Sequence, residues 1–371
     1  MGSFGLGFSI GKSWLSRIIG FVKSKGVNIP DYQLAVLAGS LLKEGHQVEI
    51  KSVPGNADAY YIHTSLNGCI DDIKMAKKLK NVYFIGAMAH NCKEMYEPYG
   101  KIIDVDRNQL PAWNLYDYKK FRYFPSLKKG PVVPIVTAYG CKYKCSYCPY
   151  SSYYGEWTPR PLEDVLKEIE LDVTLYKIKG IIFRDPLFTA DRERTKEILK
   201  QLMYFDLSFA CETRIEKVNI ELLDLMKLSG CEAIHFGIES ANDKVLKSVN
   251  RTNPSKETMK TILDYCEHIG IKTTCFFILG FPEDNEKTVQ ETIDLSIYLN
   301  PNIAEFFVST PYPGTKLSKE VKLTKEYKDM TGYNLCFEHK VFTADKLEKI
   351  RERAYKRFYL RLFWLIKFIG F

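Results

Sequence analysis

The sequence has no run of the ~18 uninterrupted apolar residues that a membrane-spanning helix requires, so any membrane contact read from it is peripheral. Cysteine, at 10 in 371 residues, is too sparse for a disulfide-stapled secreted scaffold, and the amino terminus lacks the charged, apolar and small-residue succession of a cleaved signal. The expected compartment is therefore the cytoplasm, with thiols mostly reduced. An excess of one charge is missing too. Lys plus Arg number 53 against 45 Asp plus Glu, a net +8, and lysines and glutamates are interleaved rather than gathered into the basic face of a nucleic-acid binder. What is present, 46% hydrophobic and 26% charged residues, is enough for a substantial core and too balanced for a disordered or fibrous chain.

The chain reads as α/β. Residues 1–106 predict a small parallel α/β unit, with a helix over 33–45, strands over 46–53, 57–65, 81–86 and 101–105, and a basic helix over 71–79. Residues 107–130 break into prolines and aromatics and read as a linker or clasp. From 131 the alternation resumes six times. Strands are expected near 131–138, 180–185, 208–213, 233–239, 272–279 and 305–309, and helices near 161–176, 192–204, 220–228, 255–269 and 286–299. Six parallel strands with crossover helices fit a partial or full barrel over 131–317 better than an open sheet. Residues 318–371 read as a helical, amphipathic tail.

Cys141, Cys145 and Cys148 form C-x3-C-x2-C just past the first barrel strand, the edge where parallel α/β folds put their chemistry. Three thiolates on one short loop suit a 4Fe-4S cube with one iron left open. The competing reading is zinc, which wants a fourth Cys or His, and none of the six histidines lies near in sequence. The other seven cysteines never approach one another as C-x2-C and read as small buried hydrophobes.

With an aromatic, Tyr147, before the last cysteine, this loop resembles that of the radical S-adenosylmethionine (radical SAM) superfamily. The resemblance implies that the open iron binds S-adenosylmethionine and that one electron from a reducing protein such as a ferredoxin or flavodoxin cleaves it to methionine and a 5′-deoxyadenosyl radical. That radical takes hydrogen from unactivated carbon. Over 110–317 the similarity narrows to the branch ending in a P-Y-P-G-T element. It implies cofactor contacts for Asp185, with Pro186 standing where a second acid is expected, and for Glu212 and Arg214 (CETR) toward the methionyl end. The competing reading of Glu212 and Arg214 is an exposed ion pair of small energetic value. Gly237, Glu239 and Ser240 (GIES) fall where glycine permits close approach and a carboxylate can accept from ribose hydroxyls. Phe277 and Ile278 could wall the adenine ring or be plain core, and Thr310, Pro311 and Tyr312 bend across the barrel mouth, where a backbone contact to adenine is implied.

Members with such a unit before the barrel are usually cobalamin-dependent, and three phrases here resemble theirs: 30–48, 83–90 (YFIGAMAH) and 110–118 (LPAWNLYDY). No D-x-H-x-x-G histidine is offered to cobalt. The resemblance implies a cobalamin-dependent C-methyltransferase, with radical ring closure or carbon–carbon bond formation, or a cluster-bearing binding protein without turnover, as alternatives. RNA modification, the work of related methylthio enzymes, would call for an added RNA-binding domain, and the tail is too short and apolar for one. Finally, 358–371 (FYLRLFWLIKFIGF) and, more weakly, 14–25 (WLSRIIGFVKSK) carry the aromatic, aliphatic and cationic make-up of an interfacial helix. This points to a hydrophobic, lipid-like substrate taken from a membrane surface. Packing of the tail on the barrel as a closing helix is the competing reading.

Overall fold

A computed structural model of the chain describes residues 27–28, 30–51, 54–64 and 69–361. Its amino-terminal part is a three-stranded parallel sheet, β1 (Tyr60–His63), β2 (Val82–Ile85) and β3 (Lys101–Ile102), in that order. Helices α1 (Tyr32–Lys43), α2 (Cys69–Ala76) and α3 (Ala87–Asn91) accompany it. Asp31 starts α1 by accepting from the Leu34 amide at 3.0 Å. Val82, Phe84, Met88 and Tyr96 form this unit's own apolar core. The strand expected over 46–53 is absent among its described residues, 46–51. Their alternating pattern faces no neighbouring strand, and an unpaired alternation stays extended and largely exposed.

Residues 107–130 pack closely. Trp113 is fully buried with its ring 6.2 Å from that of Tyr32, and Arg122–Tyr123 pair antiparallel with Val27–Asn28.

Six parallel strands follow in sequential order: β4 (Val132–Ile135), β5 (Gly180–Phe183), β6 (Ser208–Arg214), β7 (Cys231–Glu239), β8 (Lys272–Leu279) and β9 (Ile303–Val308). β4 and β9 are the two edges of the sheet, so the barrel is partial. The short helix α4 (Pro149–Tyr154) follows the cysteine loop, and crossover helices α5 (Leu162–Tyr176), α6 (Arg192–Leu202), α7 (Ile220–Leu228), α8 (Lys256–His268) and α9 (Glu286–Leu299) cover the outside. Polar caps set where the last four begin: Asp191, Asn219, Ser255 and Asn285 each accept from a first-turn amide, and Asn285 and Thr288 form a reciprocal capping box. Strand alternation sends Phe209, Phe277 and Phe306 outward under these helices, where Phe277 stacks on Phe306 at 5.4 Å.

A last helix, α10 (Ala344–Tyr359), closes the β9 edge. Tyr359 donates its hydroxyl to the Ala304 carbonyl at 2.9 Å, and Phe358 is fully buried. The first two residues of the expected interfacial run are therefore barrel core, because their rings cover an otherwise bare strand. Residues 362–371 and 14–25 lie outside the described residues. Among the described residues no helix is long and apolar enough to cross a membrane.

Candidate functional site

After β4 the chain makes a small antiparallel pairing, Ala138–Tyr139 with Thr158–Pro159, which fixes the base of the cysteine loop. Gly140 has φ +70°, and a Cβ there would lie 2.1 Å from the Glu156 carbonyl oxygen, so the loop enters by a step that only glycine makes comfortably. The loop is pinned by two short helices, Asp243–Ser248 with its cap Val249 and Lys316–Glu320. The Ser146 amide donates to the Val249 carbonyl at 3.1 Å, and the Ser146 carbonyl accepts from the Leu317 amide at 2.9 Å.

Cys145 is buried, and Cys141 and Cys148 are half-buried. Burial and then the charge of Cys145 push the Cys148 thiol up to about 12. Burial raises Cys141 as well, and the Arg214 and Arg251 guanidinia work against the rise. Cys141 and Cys148 thus resist ionisation until a cation compensates them, and this is the linkage by which metal binding drives out thiol protons. Among the described residues no three His, Cys, Asp or Glu side chains converge as one metal ion would need. A cube of four irons instead takes one thiolate per iron, which this donor set fits.

Around the loop stands a compact charged group. Arg214, at the end of β6, lays its guanidinium 3.9 Å from the centroid of the Tyr143 ring within the loop. It donates to the Thr252 carbonyl at 2.8 Å and to Glu216, while its Nη1 is buried without a protein partner. Glu239 ends β7 at φ +66° after a register shift, an uncommon conformation for a residue with a side chain and one that clusters at functional sites. Its carboxylate accepts from Tyr147 and lies 3.8 Å from Arg251 Nη1. Burial raises its pKa, and Arg251 opposes the rise. Arg251 also donates to the Gly237 carbonyl. A Cβ on Gly237 would fall 2.5 Å from Glu239 Oε1 and 3.2 Å from Arg251 Nη2, so the glycine makes room for the pair.

The structure thus brings Cys141, Cys145, Cys148, Tyr147, Arg214, Gly237 and Glu239 together, with Ile278 packed beside Tyr147 and Phe281. Other expected residues are held by partners of their own. Asp185 accepts from the Thr137 amide at 2.7 Å and hydroxyl at 2.5 Å, tying β5 to the strand beside it, and burial pushes its carboxyl up to about 6. Ser240 caps the Asn242 amide at 3.1 Å beneath α9. Phe277 lies in the main core, so its wall reading gives way to packing. Glu212 pairs with Arg184 at 3.1 Å, and the two side chains are only 22% and 15% exposed, so the exposed-pair reading is corrected. The Thr310 hydroxyl donates to the Val308 carbonyl at 2.9 Å, Pro311 is buried and Tyr312 half-buried. Tyr143, Arg184 and Arg251 escaped the sequence reading. Arg251 lies twelve positions past Glu239 on an ordinary polar turn, and only the fold returns it to the strand end.

The amino-terminal sheet directs its carboxyl-terminal edge at the same mouth. Asn91 of α3 donates to the Pro313 carbonyl at 3.1 Å, and the His90 ring lies 5.4 Å from Tyr153 of α4. At that edge Gly86 (φ +99°) leaves space filled by His63, whose Nδ1 is paired with Asp31.

A parallel α/β unit seated on the mouth of a partial six-stranded barrel, with three thiols after the first barrel strand, defines a class of cluster-bearing barrels. Residues 135–296 match the family model described as Radical SAM superfamily. The chain is similar to an uncharacterised methyltransferase of Pyrococcus horikoshii, 28% identical over 80% of this chain and 66% of that protein. It is also similar to the anaerobic magnesium-protoporphyrin IX monomethyl ester cyclase of Rubrivivax gelatinosus, 26% identical over 70% of this chain and 47% of the relative. The chain therefore spans less than two thirds of the length of either. Among solved structures, the radical S-adenosylmethionine methyltransferase TsrM of Kitasatospora setae, with cobalamin and a [4Fe-4S] cluster bound, shares the fold with TM-score 0.64 at 15% identity, over 79% of this chain and 75% of that one.

Proposed function

We propose that the protein is a radical SAM enzyme that holds one 4Fe-4S cluster on Cys141, Cys145 and Cys148, cleaves S-adenosylmethionine reductively and C-methylates an unactivated carbon. The observation that carries this is the pinned three-thiol loop beside a buried guanidinium with a spare donor, Arg214 Nη1. The cluster with S-adenosylmethionine supplies a carbon radical, and cobalamin supplies the methyl group. In this reading Arg214 meets the methionyl carboxylate, the Glu239 carboxylate accepts from ribose hydroxyls, and Ile278 with the Thr310–Tyr312 backbone borders adenine. Residues 1–106 hold cobalamin and 131–317 form the catalytic barrel. The sheet edge that bears His63 and Gly86 faces the barrel mouth, the position a methyl carrier needs, and parallel sheets bind ligands at that edge.

A second reading, ring closure without net methyl transfer, is favoured by the cyclase relative. The hydrophobic substrate and a peripheral membrane contact rest on the composition of 358–371 and, more weakly, of 14–25, and the packing of Phe358 and Tyr359 with the bonds from Arg361 to the Ile297 carbonyl and Asn300 narrows the support of the former run to Leu360 and 362–371. The test is anaerobic reconstitution with S-adenosylmethionine, dithionite and cobalamin. 5′-Deoxyadenosine should form, and cobalamin should stay with the full chain through gel filtration. Protein that carries the cluster and yields no 5′-deoxyadenosine is a binding protein, and protein that takes up no cobalamin loses the methylation reading.

A further inference from the structure

The cysteine loop has an outer side that the proposed chemistry leaves unused. Lys142 and Lys144 stand on it, both exposed. Among the described residues Lys144 pairs with Glu156 at 3.6 Å, with the two side chains 80% and 87% exposed, a pair that contributes next to nothing to stability. Lys217 Nζ lies 5.5 Å from the centroid of the Tyr143 ring in the same loop. Next to the loop runs the short helix 243–248, fixed there by the Ser146 amide on the Val249 carbonyl and by Asn250 Nδ2 on the Lys144 carbonyl at 3.3 Å. Val245 and Val249 pack with Phe281 toward Tyr147, which leaves Lys244 and Lys247 on the exposed side. Five lysines rim the loop. Glu156 and Asp243 stand exposed among them and Glu216 is taken by Arg214, while Glu283, Glu320 and Glu338, which line the adjoining groove with Ser248 and Val249, are each paired with a lysine.

We infer that this rim is the docking surface of a small acidic protein that carries single electrons to the cluster. The inference rests on the cluster reading above. A cluster must receive its electron from outside, and this rim is the solvent face of the loop that bears the thiols. Lysines there, of which Lys142 also lies 4.3 Å from the centroid of the Trp157 ring, steer an acidic partner into a brief, small encounter and lose that effect as salt screens them. The step is a bare electron transfer: the carrier gives up one electron, the cluster goes from the +2 to the +1 state, and no bond or proton moves.

The test compares two reductants on the reconstituted full chain, following cluster bleaching by stopped-flow absorbance. One is dithionite, a small ion that needs no docking; the other is a reduced flavodoxin, an acidic protein. The double variant Lys244→Glu/Lys247→Glu should slow flavodoxin-driven bleaching at least about fivefold at low salt and flatten its salt dependence. Dithionite-driven bleaching should be unchanged, and Lys349→Glu, on the exposed side of α10, should alter neither rate. Equal flavodoxin rates for wild type and variant overturn the docking proposal alone. So does a variant that loses affinity for a transfer RNA while keeping its flavodoxin rate, which would assign the rim to nucleic acid. A chain that dithionite cannot bleach overturns the cluster reading and the docking proposal with it.

Discussion

Removing one partner of the Arg160–Glu168 pair should cost more than removing both. Arg160 Nη1 lies 2.7 Å from Glu168 Oε2, with the side chains 2% and 0% exposed. The Tyr32 hydroxyl, from α1, accepts from Arg160 Nη1 and donates to Glu168, each at 3.0 Å. The trio thereby bolts the amino-terminal unit to the barrel under the cysteine loop. Glu168→Leu leaves a guanidinium buried without its counter-charge, at a cost of about 3–5 kcal/mol. The pair itself repays little beyond its own desolvation. The triple variant Tyr32→Phe/Arg160→Met/Glu168→Leu strands no polar group of the trio, frees only the Val136 carbonyl, and takes the charges of Arg160 and Glu168 away from Asp172 together, so it should recover at least about 2 kcal/mol of that loss. Urea unfolding followed by tryptophan fluorescence reads this directly, because Trp113 packs on Tyr32. A loss below about 1 kcal/mol for Glu168→Leu, or losses that simply add, would refute the reasoning.

Asp185 predicts a pH effect of definite sign. Burial lifts its carboxyl from 3.8 to about 6, so the folded state holds the proton more tightly, and the stability it contributes is complete below pH about 4 and lost as pH rises through 6. Wild type should therefore lose ground to Asp185→Asn between pH 4 and 7, and a pH-independent difference in urea midpoint would sink the assignment. Gly140→Ala forces φ +70° on a side-chain residue and drives its Cβ into the Glu156 carbonyl. It should abolish cluster assembly while the far-ultraviolet dichroism of the barrel persists, and normal iron loading would show that the loop does not need that entry. Gly237→Ala pushes Glu239 off Arg251 and should weaken S-adenosylmethionine binding about tenfold, an effect of ~1.4 kcal/mol; unchanged affinity in calorimetry would return Glu239 to a packing role.

The barrel was legible in the sequence because its signals are local. The helix expected over 220–228 and the strand over 272–279 form between those very residues, with Asn219 supplying a cap and Gly230 (φ +95°) a stop. The strand over 46–53 failed since alternation specifies a pleat and not a partner. In the site, Cys141, Cys145 and Cys148 were readable as spacing within one loop. Arg251 and Tyr143 were not, for their meaning comes from strand ends far apart in sequence, and nothing in the letters G-I-E-S reveals that Glu239 adopts a left-handed backbone. Asp185 and Ser240 carried polar side chains at strand ends, which the sequence marks equally well whether they serve a ligand or hold two elements together. Only their partners, Thr137 and the Asn242 amide, separate the two cases.

The most direct test of the central claim is low-temperature electron paramagnetic resonance of the anaerobically reconstituted, dithionite-reduced chain, with and without S-adenosylmethionine. The account predicts one 4Fe-4S signal per chain that shifts when S-adenosylmethionine is added and vanishes in Cys141→Ala/Cys145→Ala/Cys148→Ala. A triple variant that keeps the signal, or a wild-type signal indifferent to S-adenosylmethionine, would contradict it.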